Sequence, residues 1–148
     1  MTAPRSLLLV EDSDADAIAL QRIASRLPSP MTVVRMRDGE SALDYLYRRG
    51  AYASASRPAL VLLDLHMPGM SGREVLAQLK ADPALRRIPV IIFSSSEDPG
   101  DVEGAYAEGA NSYLFKPEPG AQLEAAAQAL QAFWLTAARL PEEPGAAP

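Results

Sequence analysis

The sequence predicts a doubly wound α/β domain, in which five parallel strands alternate with five helices. Three short apolar runs, Leu7–Val10, Leu60–Leu63 and Val90–Phe93, have the length and the unbroken apolar character of strands buried on both faces. Segments with apolar residues at helical spacing lie between these runs. Thr32–Met36 occupies the second strand position and Ser112–Phe115 the fifth.

Cap and breaker residues mark the helices that connect the strands. Serine, aspartate and proline stand at the helix starts, where they satisfy or dispense with free backbone N–H groups. The first two predicted helices are Ala15–Leu27 and Ser41–Arg49, the second of which follows Asp38-Gly39. The third begins at the capping box Ser71-Gly-Arg-Glu74 and stops before Pro83, and the fourth begins at Asp98-Pro99 and ends at Gly109. The fifth, Gln122–Leu140, is expected to be the longest.

The composition excludes several classes of protein and site. The chain has 148 residues, of which 48% are hydrophobic, and this suits a single folded domain. It contains no cysteine and one histidine, His66, so disulfides, thiolate chemistry and sites with several histidine ligands are excluded. The net charge of −5 argues against unspecific binding to nucleic acid.

Neither a membrane span nor a secretion signal is expected. The apolar runs fall far short of the ~20 residues that a bilayer-spanning helix needs. The first run ends in the carboxylates Glu11 and Asp12, and it is shorter than the apolar region of a signal peptide. We therefore expect a cytoplasmic protein without membrane contacts, with one domain over residues 1–140, a surface loop over 50–58 and a flexible tail over 141–148.

Polar side chains stand at the ends of four predicted strands. Glu11 and Asp12 follow the first strand, Asp64 the third and Lys116 the fifth, while Ser94 closes the fourth. The carboxyl ends of parallel strands share one edge of a sheet, and α/β domains bind ligands at that edge. We therefore expect these side chains to converge.

Converging carboxylates repel one another unless a cation lies between them. A pocket of carboxylate oxygens without histidine or cysteine ligands suits Mg²⁺. Asp64 would then act as a nucleophile toward a phosphoryl group whose charge the metal, Lys116 and Ser94 neutralise. A plainer interpretation also stays open, in which Glu11 and Asp12 cap the following helix and Asp64 begins a turn.

Four motifs, in this order, resemble the receiver domain of two-component response regulators. They are LLLVEDSDAD, LVLLDLHMPGMSGREVL, IPVIIFSS and GANSYLFKP, and the resemblance covers about residues 5–135. It implies a flavodoxin-like sheet with strand order 2-1-3-4-5 and a signalling role, in which a sensor histidine kinase donates a phosphoryl group to the domain. The protein would be a phosphorylated switch and not an enzyme, apart from hydrolysis of its own phosphoryl group at the Mg²⁺ site.

The resemblance assigns the acceptor and the metal ligands. Asp64 would accept the phosphoryl group and also bind Mg²⁺. Asp12 would bind Mg²⁺ directly, Glu11 through a water molecule, and His66 through its backbone carbonyl. These roles follow from the matching positions of the family motif and not from the spacing of the residues.

The resemblance also assigns the residues around the phosphoryl group. Ser94 would hydrogen-bond it and Lys116 would balance its charge, with a cis peptide after Lys116. Ser94 and Tyr113 would form the conformational switch. His66 and Ser96 would occupy the two positions that tune dephosphorylation.

Two further stretches resemble a narrower group, the single-domain regulators associated with phytochrome photoreceptor kinases in bacteria. They are DGESALDYLYRRGAY and AFWLTAARLP. This resemblance implies that the donor kinase is a bacteriophytochrome. The chain ends shortly after its last predicted helix, so we expect no output domain and a readout through the surface of residues 98–140.

The last predicted helix carries an apolar patch. Phe133 and Trp134 are adjacent, and neighbours lie about 100° apart on a helix, so the two rings do not both face the sheet easily. One of them, with Leu140, is expected to form an exposed surface that pairs with a second copy of the chain in a homodimer.

Two other functions share this fold. A phosphatase with an aspartate nucleophile also carries its aspartate at a strand end, but such enzymes usually have a second aspartate two positions on, where this chain has His66. A flavodoxin-like cofactor binder is disfavoured because the first strand ends in Glu11 and Asp12, not in a phosphate-binding loop rich in serine, threonine and glycine.

Overall fold

The protein was analysed as a computed structural model, which describes residues 5–142. Five parallel strands form one sheet in the order β2-β1-β3-β4-β5, so the predicted strand order is confirmed. The strands are β1 (Ser6–Val10), β2 (Thr32–Met36), β3 (Leu60–Leu63), β4 (Val90–Ser94) and β5 (Ser112–Phe115). The helices are α1 (Asp14–Arg26), α2 (Gly39–Leu46), α3 (Gly72–Ala81), α4 (Pro99–Ala107) and α5 (Ala121–Ala132).

The sheet is covered on both faces, which explains why its central strands are apolar at every position. Alternate residues of β1 enter opposite cores, since Leu7 and Leu9 pack with α1 and α5, whereas Leu8 and Val10 pack with α2 and α3. All four residues of β3 are buried in the same way. Two apolar layers therefore hold the central strands rigid and fix the edge from which the polar residues project.

The helix starts follow the predicted cap chemistry. Ser71 Oγ accepts a hydrogen bond from the Glu74 backbone N–H, and the Glu74 carboxylate accepts one from the Ser71 N–H, which completes the capping box. Asp98 caps α4 with Pro99 at its first position. Asp38 caps α2, which begins at Gly39 and ends at Leu46, before the predicted end.

The last helix differs from its prediction. The α-helical part of α5 ends at Ala132, and a π-helical turn follows over Phe133–Ala137, so α1 is the longest α-helix among residues 5–142. Trp134 and Leu135 both pack against the core below α1, while Phe133 is 58% exposed. An ordinary turn separates consecutive side chains by about 100°, and the wider π turn lets two neighbours face the sheet together.

The segment over residues 50–58 is a surface loop with a short 3-10 turn at Gly50–Tyr52. The Tyr52 ring packs edge-on against the Tyr45 ring of α2, with a centroid distance of 5.5 Å. Of the predicted tail, Pro141 and Glu142 carry no regular structure, and residues 143–148 lie outside the described range.

Candidate functional site

The ends of four strands meet at the carboxyl edge of the sheet. Val10 is in register with Leu63, and the Asp64 N–H donates to the Val10 carbonyl at 3.1 Å, so Glu11 and Asp64 leave neighbouring strands side by side. On the other side of β3, the Lys116 N–H donates to the Ser94 carbonyl at 2.8 Å. The predicted polar residues therefore share one edge, as parallel pairing requires.

Three of the predicted metal ligands form a compact carboxylate cluster. One oxygen each from Glu11, Asp12 and Asp64 lies within 4.8 Å of the others. Glu11 and Asp64 are buried, whereas Asp12 is exposed at the rim. Glu11 Oε1 is fully buried, and its partner is the Lys116 ammonium at 2.6 Å. An all-oxygen cluster of three carboxylates fits a hard divalent cation.

The backbone around Glu11 is fixed by β2. The Glu11 N–H donates to the Met36 carbonyl at 3.0 Å, and Arg35 Nε donates to the Glu11 carbonyl at 2.8 Å. Glu11 Oε2 accepts a hydrogen bond from the Ser13 N–H at 3.1 Å, just before α1 begins. These contacts orient the Glu11 side chain toward the cluster before any ligand arrives.

Lys116 is the cation of the site. Its Nζ lies 2.6 Å from Glu11 Oε1, 3.2 Å from Asp16 Oδ2 and 3.5 Å from Asp64 Oδ2, and its side chain is 11% exposed. Burial alone would lower the pKa of this ammonium, but the hydrogen bond to Glu11 and the charges of Asp64 and Glu11 raise it above its ordinary value. Lys116 is therefore positively charged at neutral pH.

For Glu11, burial is the dominant influence on the pKa. It raises the pKa of the carboxyl from 4.5 to about 7, although the hydrogen bonds from Lys116 and the Ser13 N–H lower it. The charge of Asp64 adds to the rise. A metal binds the ionised form of a carboxylate. Glu11 is mostly ionised at pH 8, whereas at pH 6 it must lose a proton before the cluster binds a cation.

Gly72, at the start of α3, allows the backbone of α3 to pack closely against the backbone of Asp64. The Gly72 N–H donates to the Leu65 carbonyl at 2.9 Å, and a Cβ at position 72 would stand 2.0 Å from the Asp64 carbonyl oxygen. The close approach of these two backbones admits only a hydrogen atom there. The side chain of Asp64 is held separately, since the His66 N–H donates to Asp64 Oδ1 at 3.2 Å and orients the carboxylate.

Ser94 and Tyr113 lie on neighbouring strands and meet through Ser96. The Ser94 side chain is buried, and its Oγ accepts a hydrogen bond from the Ser96 N–H at 3.1 Å. The Tyr113 hydroxyl donates to the Ser96 carbonyl at 2.8 Å, and its ring packs partly against the core on the α3 side. One loop residue thus links the two predicted switch residues.

His66 and Ser96 are joined by a residue that the sequence did not single out. His66 Nε2 lies 3.0 Å from Asp101 Oδ2, and Ser96 Oγ donates to the same oxygen at 2.6 Å. The hydrogen bonds from Ser96 and His66 hold the pKa of Asp101 below its ordinary value. The loops after β3 and β4 are therefore connected through the first turn of α4.

The structure differs from the predicted site at the peptide bond after Lys116 and in the partners of the Lys116 side chain. The predicted cis peptide after Lys116 is wrong for this structure, because no peptide bond among residues 5–142 is cis. A trans bond is the more stable isomer before proline by about 0.5–1 kcal/mol. Asp16 was missed as a partner of Lys116, although its place in the first turn of α1 beside Glu11 could have indicated it.

Comparison with known proteins places this geometry in a family. Residues 7–128 match the model of the response regulator receiver domain. The chain belongs to this family. It is 38% identical to response regulator Rcp1 of Synechocystis sp. over 138 residues, which cover 93% of this chain and 94% of that protein.

Solved structures of relatives have the same fold. The phosphorylated cyanobacterial phytochrome response regulator RcpA superposes with a TM-score of 0.89 at 42% identity, and the match covers 95% of this chain and 100% of that one. The Mn²⁺-bound form of Rcp1 superposes with a TM-score of 0.86 at 38% identity, covering 94% and 100%.

The protein is thus a response regulator receiver domain of two-component signalling whose relatives include phytochrome response regulators. The phosphatase and the flavodoxin-like cofactor binder are not favoured, because nearly the whole chain matches signalling receivers. Within residues 5–142, no helix is both long enough and apolar enough to cross a bilayer.

Proposed function

We propose that Asp64 accepts a phosphoryl group from a phosphohistidine of a sensor histidine kinase. The observation that supports this role is the position of its carboxylate at the edge of the sheet, where it clusters with Glu11 and Asp12 and lies 3.5 Å from the Lys116 ammonium. An acceptor there is next to both a positively charged side chain and a cation site. Phosphoryl transfer depends mainly on such placement of charge.

The transfer step exchanges one bond to phosphorus for another. A carboxylate oxygen of Asp64 forms the new P–O bond, while the P–N bond to the kinase imidazole breaks and its electron pair returns to the ring nitrogen. Lys116 balances charge on the transferred oxygens, and Ser94 offers a buried hydroxyl as donor. The His66 N–H keeps Asp64 Oδ1 oriented during the exchange.

The metal we propose is Mg²⁺, which Asp12 and Asp64 would hold directly and Glu11 through water, with the His66 carbonyl as a further ligand. When bound, it supplies positive charge to the phosphoryl oxygens. The Mn²⁺-bound form of Rcp1 supports a divalent ion in a relative of this chain. The all-oxygen donor set of Glu11, Asp12 and Asp64 supports it here.

Phosphorylation would be read through Ser94 and Tyr113. A phosphoryl group on Asp64 adds about −1.5 to −2 charge and would attract the Ser94 hydroxyl. Ser94 Oγ now accepts from the Ser96 N–H, and Tyr113 is anchored to the Ser96 carbonyl, so movement of Ser94 would disturb both contacts. The surface of α4, β5 and α5 would then bind a partner differently.

The test compares Asp64→Asn with the wild-type chain after incubation with a phosphorylated sensor kinase and Mg²⁺. We expect the wild-type protein to take up the phosphoryl group and the variant to take up less than about 1% of it, because the amide is a poor nucleophile. Removing Mg²⁺ with a chelator should slow uptake by the wild type strongly. Equal labelling of both proteins would contradict the assignment of the acceptor.

The donor we propose is a bacteriophytochrome, since similar chains are phytochrome response regulators. The stored phosphoryl group would be lost by self-catalysed hydrolysis, with His66 and Ser96 at the rim of the site tuning its rate. Both side chains stand two residues beyond a site residue, Asp64 or Ser94, and both reach Asp101.

We further propose a homodimer through the end of α5. Phe133 is 58% exposed and meets the half-buried Trp134 ring edge-on at 5.1 Å, with the half-buried Leu140 further along the chain. Light scattering should give the dimer mass for the wild type, and Phe133→Ser should shift the protein toward the monomer by about ten-fold in dissociation constant. A wild type that stays monomeric with and without phosphorylation would contradict the dimer.

A further inference from the structure

We propose that Asp101 is a positioning residue that sets the lifetime of the phosphoryl group on Asp64. The proposal rests on the proposed function and adds a residue to which neither the sequence motifs nor the family match gives a role. Asp101 lies in the first turn of α4, and its side chain is 19% exposed.

Asp101 bridges the two loops that border the site. Its Oδ2 accepts from Ser96 Oγ at 2.6 Å and lies 3.0 Å from His66 Nε2. A single carboxylate oxygen thus connects the loop after β3 with the loop after β4, and both loops start from the edge at which Asp64 and Ser94 stand.

The two residues that Asp101 connects, His66 and Ser96, also donate backbone hydrogen bonds to side chains of the site. The His66 N–H donates to Asp64 Oδ1, and the Ser96 N–H donates to Ser94 Oγ. Fixing the side chains of His66 and Ser96 therefore fixes the two N–H groups that orient the acceptor and its neighbouring hydroxyl. Positions held in this way lose catalytic or protective geometry when the support is removed.

The bridge restrains the reaction that ends the signal. In hydrolysis, a water oxygen forms a bond to phosphorus, the P–O bond to Asp64 breaks, the carboxylate leaves with the electron pair, and the water protons remain with inorganic phosphate and solvent. Water has to enter between the loops after β3 and β4. With the bridge closed these loops stay together, and without it they separate and admit water.

The rest of α4 is attached separately, which allows a clean control. Arg73 of α3 donates to both carboxylate oxygens of Glu108, at 2.6 and 3.2 Å, just after the end of α4. Glu108→Gln weakens this attachment and removes none of the hydrogen bonds that join His66, Ser96 and Asp101. It therefore reports what general loosening of α4 does to the site.

The experiment phosphorylates each protein with acetyl phosphate and Mg²⁺, removes the donor by gel filtration, and follows loss of the phosphorylated form by phosphate-affinity electrophoresis. Asp101→Ala is expected to speed hydrolysis about five-fold, because the bridge is lost. Asp101→Asn keeps an oxygen acceptor for Ser96 and should stay within about two-fold of wild type, as should Glu108→Gln.

The outcomes separate the two proposals. A rate for Asp101→Ala that is unchanged or slower, or an equal acceleration in Glu108→Gln, would overturn the role of Asp101 and leave Asp64 as the acceptor. A wild type that takes up no phosphoryl group on Asp64 would overturn both. Circular dichroism of each variant confirms that the compared proteins are folded.

Discussion

Lys116→Met is expected to lower the free energy of unfolding at pH 8 by about 3 kcal/mol, because it leaves two buried carboxylates without their cation. The Lys116 side chain is 11% exposed, and its partners Glu11 and Asp64 are 2% and 9% exposed. Burial penalises an unpaired charge far more than it rewards a paired one. Urea unfolding at two pH values measures the loss.

The loss should shrink as the pH falls. The pKa of Glu11 is raised to about 7 in the folded protein, so its contribution to stability is complete below 4.5 and is lost as the pH rises through 7. Lys116 is one of the groups that lower this pKa, and its removal moves the titration further upward. At pH 5 Glu11 is protonated in the variant and needs no partner.

Lys80→Met is the matched control, since Lys80 and Lys116 are the only lysines of the chain. Lys80 Nζ donates to the Arg86 and Ile88 carbonyls at 3.1 and 3.2 Å. Its replacement should cost the same at pH 5 and pH 8, within about 0.5 kcal/mol. A loss for Lys116→Met that is also equal at the two pH values would show that Glu11 is not its critical partner.

Gly72→Ala should lower the free energy of unfolding by at least about 3 kcal/mol, because the added methyl group overlaps backbone atoms that cannot rotate away. The new Cβ would lie 2.0 Å from the Asp64 carbonyl oxygen and 2.7 Å from the Leu65 Cα. Relief requires moving either α3 or the end of β3. Thermal and urea unfolding measure the effect, and phosphoryl uptake by Asp64 should fall with it.

Gly100→Ala provides the comparison. Gly100 lies in the first turn of α4, and a Cβ there would meet Asp98 Oδ1 at 3.5 Å, an ordinary contact. Alanine at this position should be neutral or stabilising by about 0.5–1 kcal/mol. If Gly72→Ala remained within about 1 kcal/mol of wild type, the close packing behind Asp64 would be contradicted.

The strands and the convergence at their ends could be predicted from the sequence for one physical reason. Unbroken apolar runs indicate strands covered on both faces, such strands pair in parallel, and parallel strands end at a common edge. The proximity of Glu11 to Asp64 and of Lys116 to both follows from that sequence of steps. No knowledge of side-chain packing is needed for it.

Contacts made by helices could not be predicted in this way. Asp16 and Asp101 stand in the first turns of α1 and α4, where acidic residues are common because they suit the helix dipole. Whether such a residue also reaches Lys116 or His66 depends on how the helix is docked. The π turn after Ala132 could not be predicted for the same reason, since it depends on how Trp134 and Leu135 pack together against the sheet.

The most direct test of the proposed acceptor is chemical mapping of the phosphorylated protein. Borohydride reduces an aspartyl phosphate to homoserine with release of phosphate, and peptide mass spectrometry then locates the modified position. After phosphorylation by acetyl phosphate with Mg²⁺, we expect homoserine at position 64 and unmodified side chains at Glu11, Asp12 and Asp16. Reduction at one of those carboxylates instead, with Asp64 unchanged, would contradict the account.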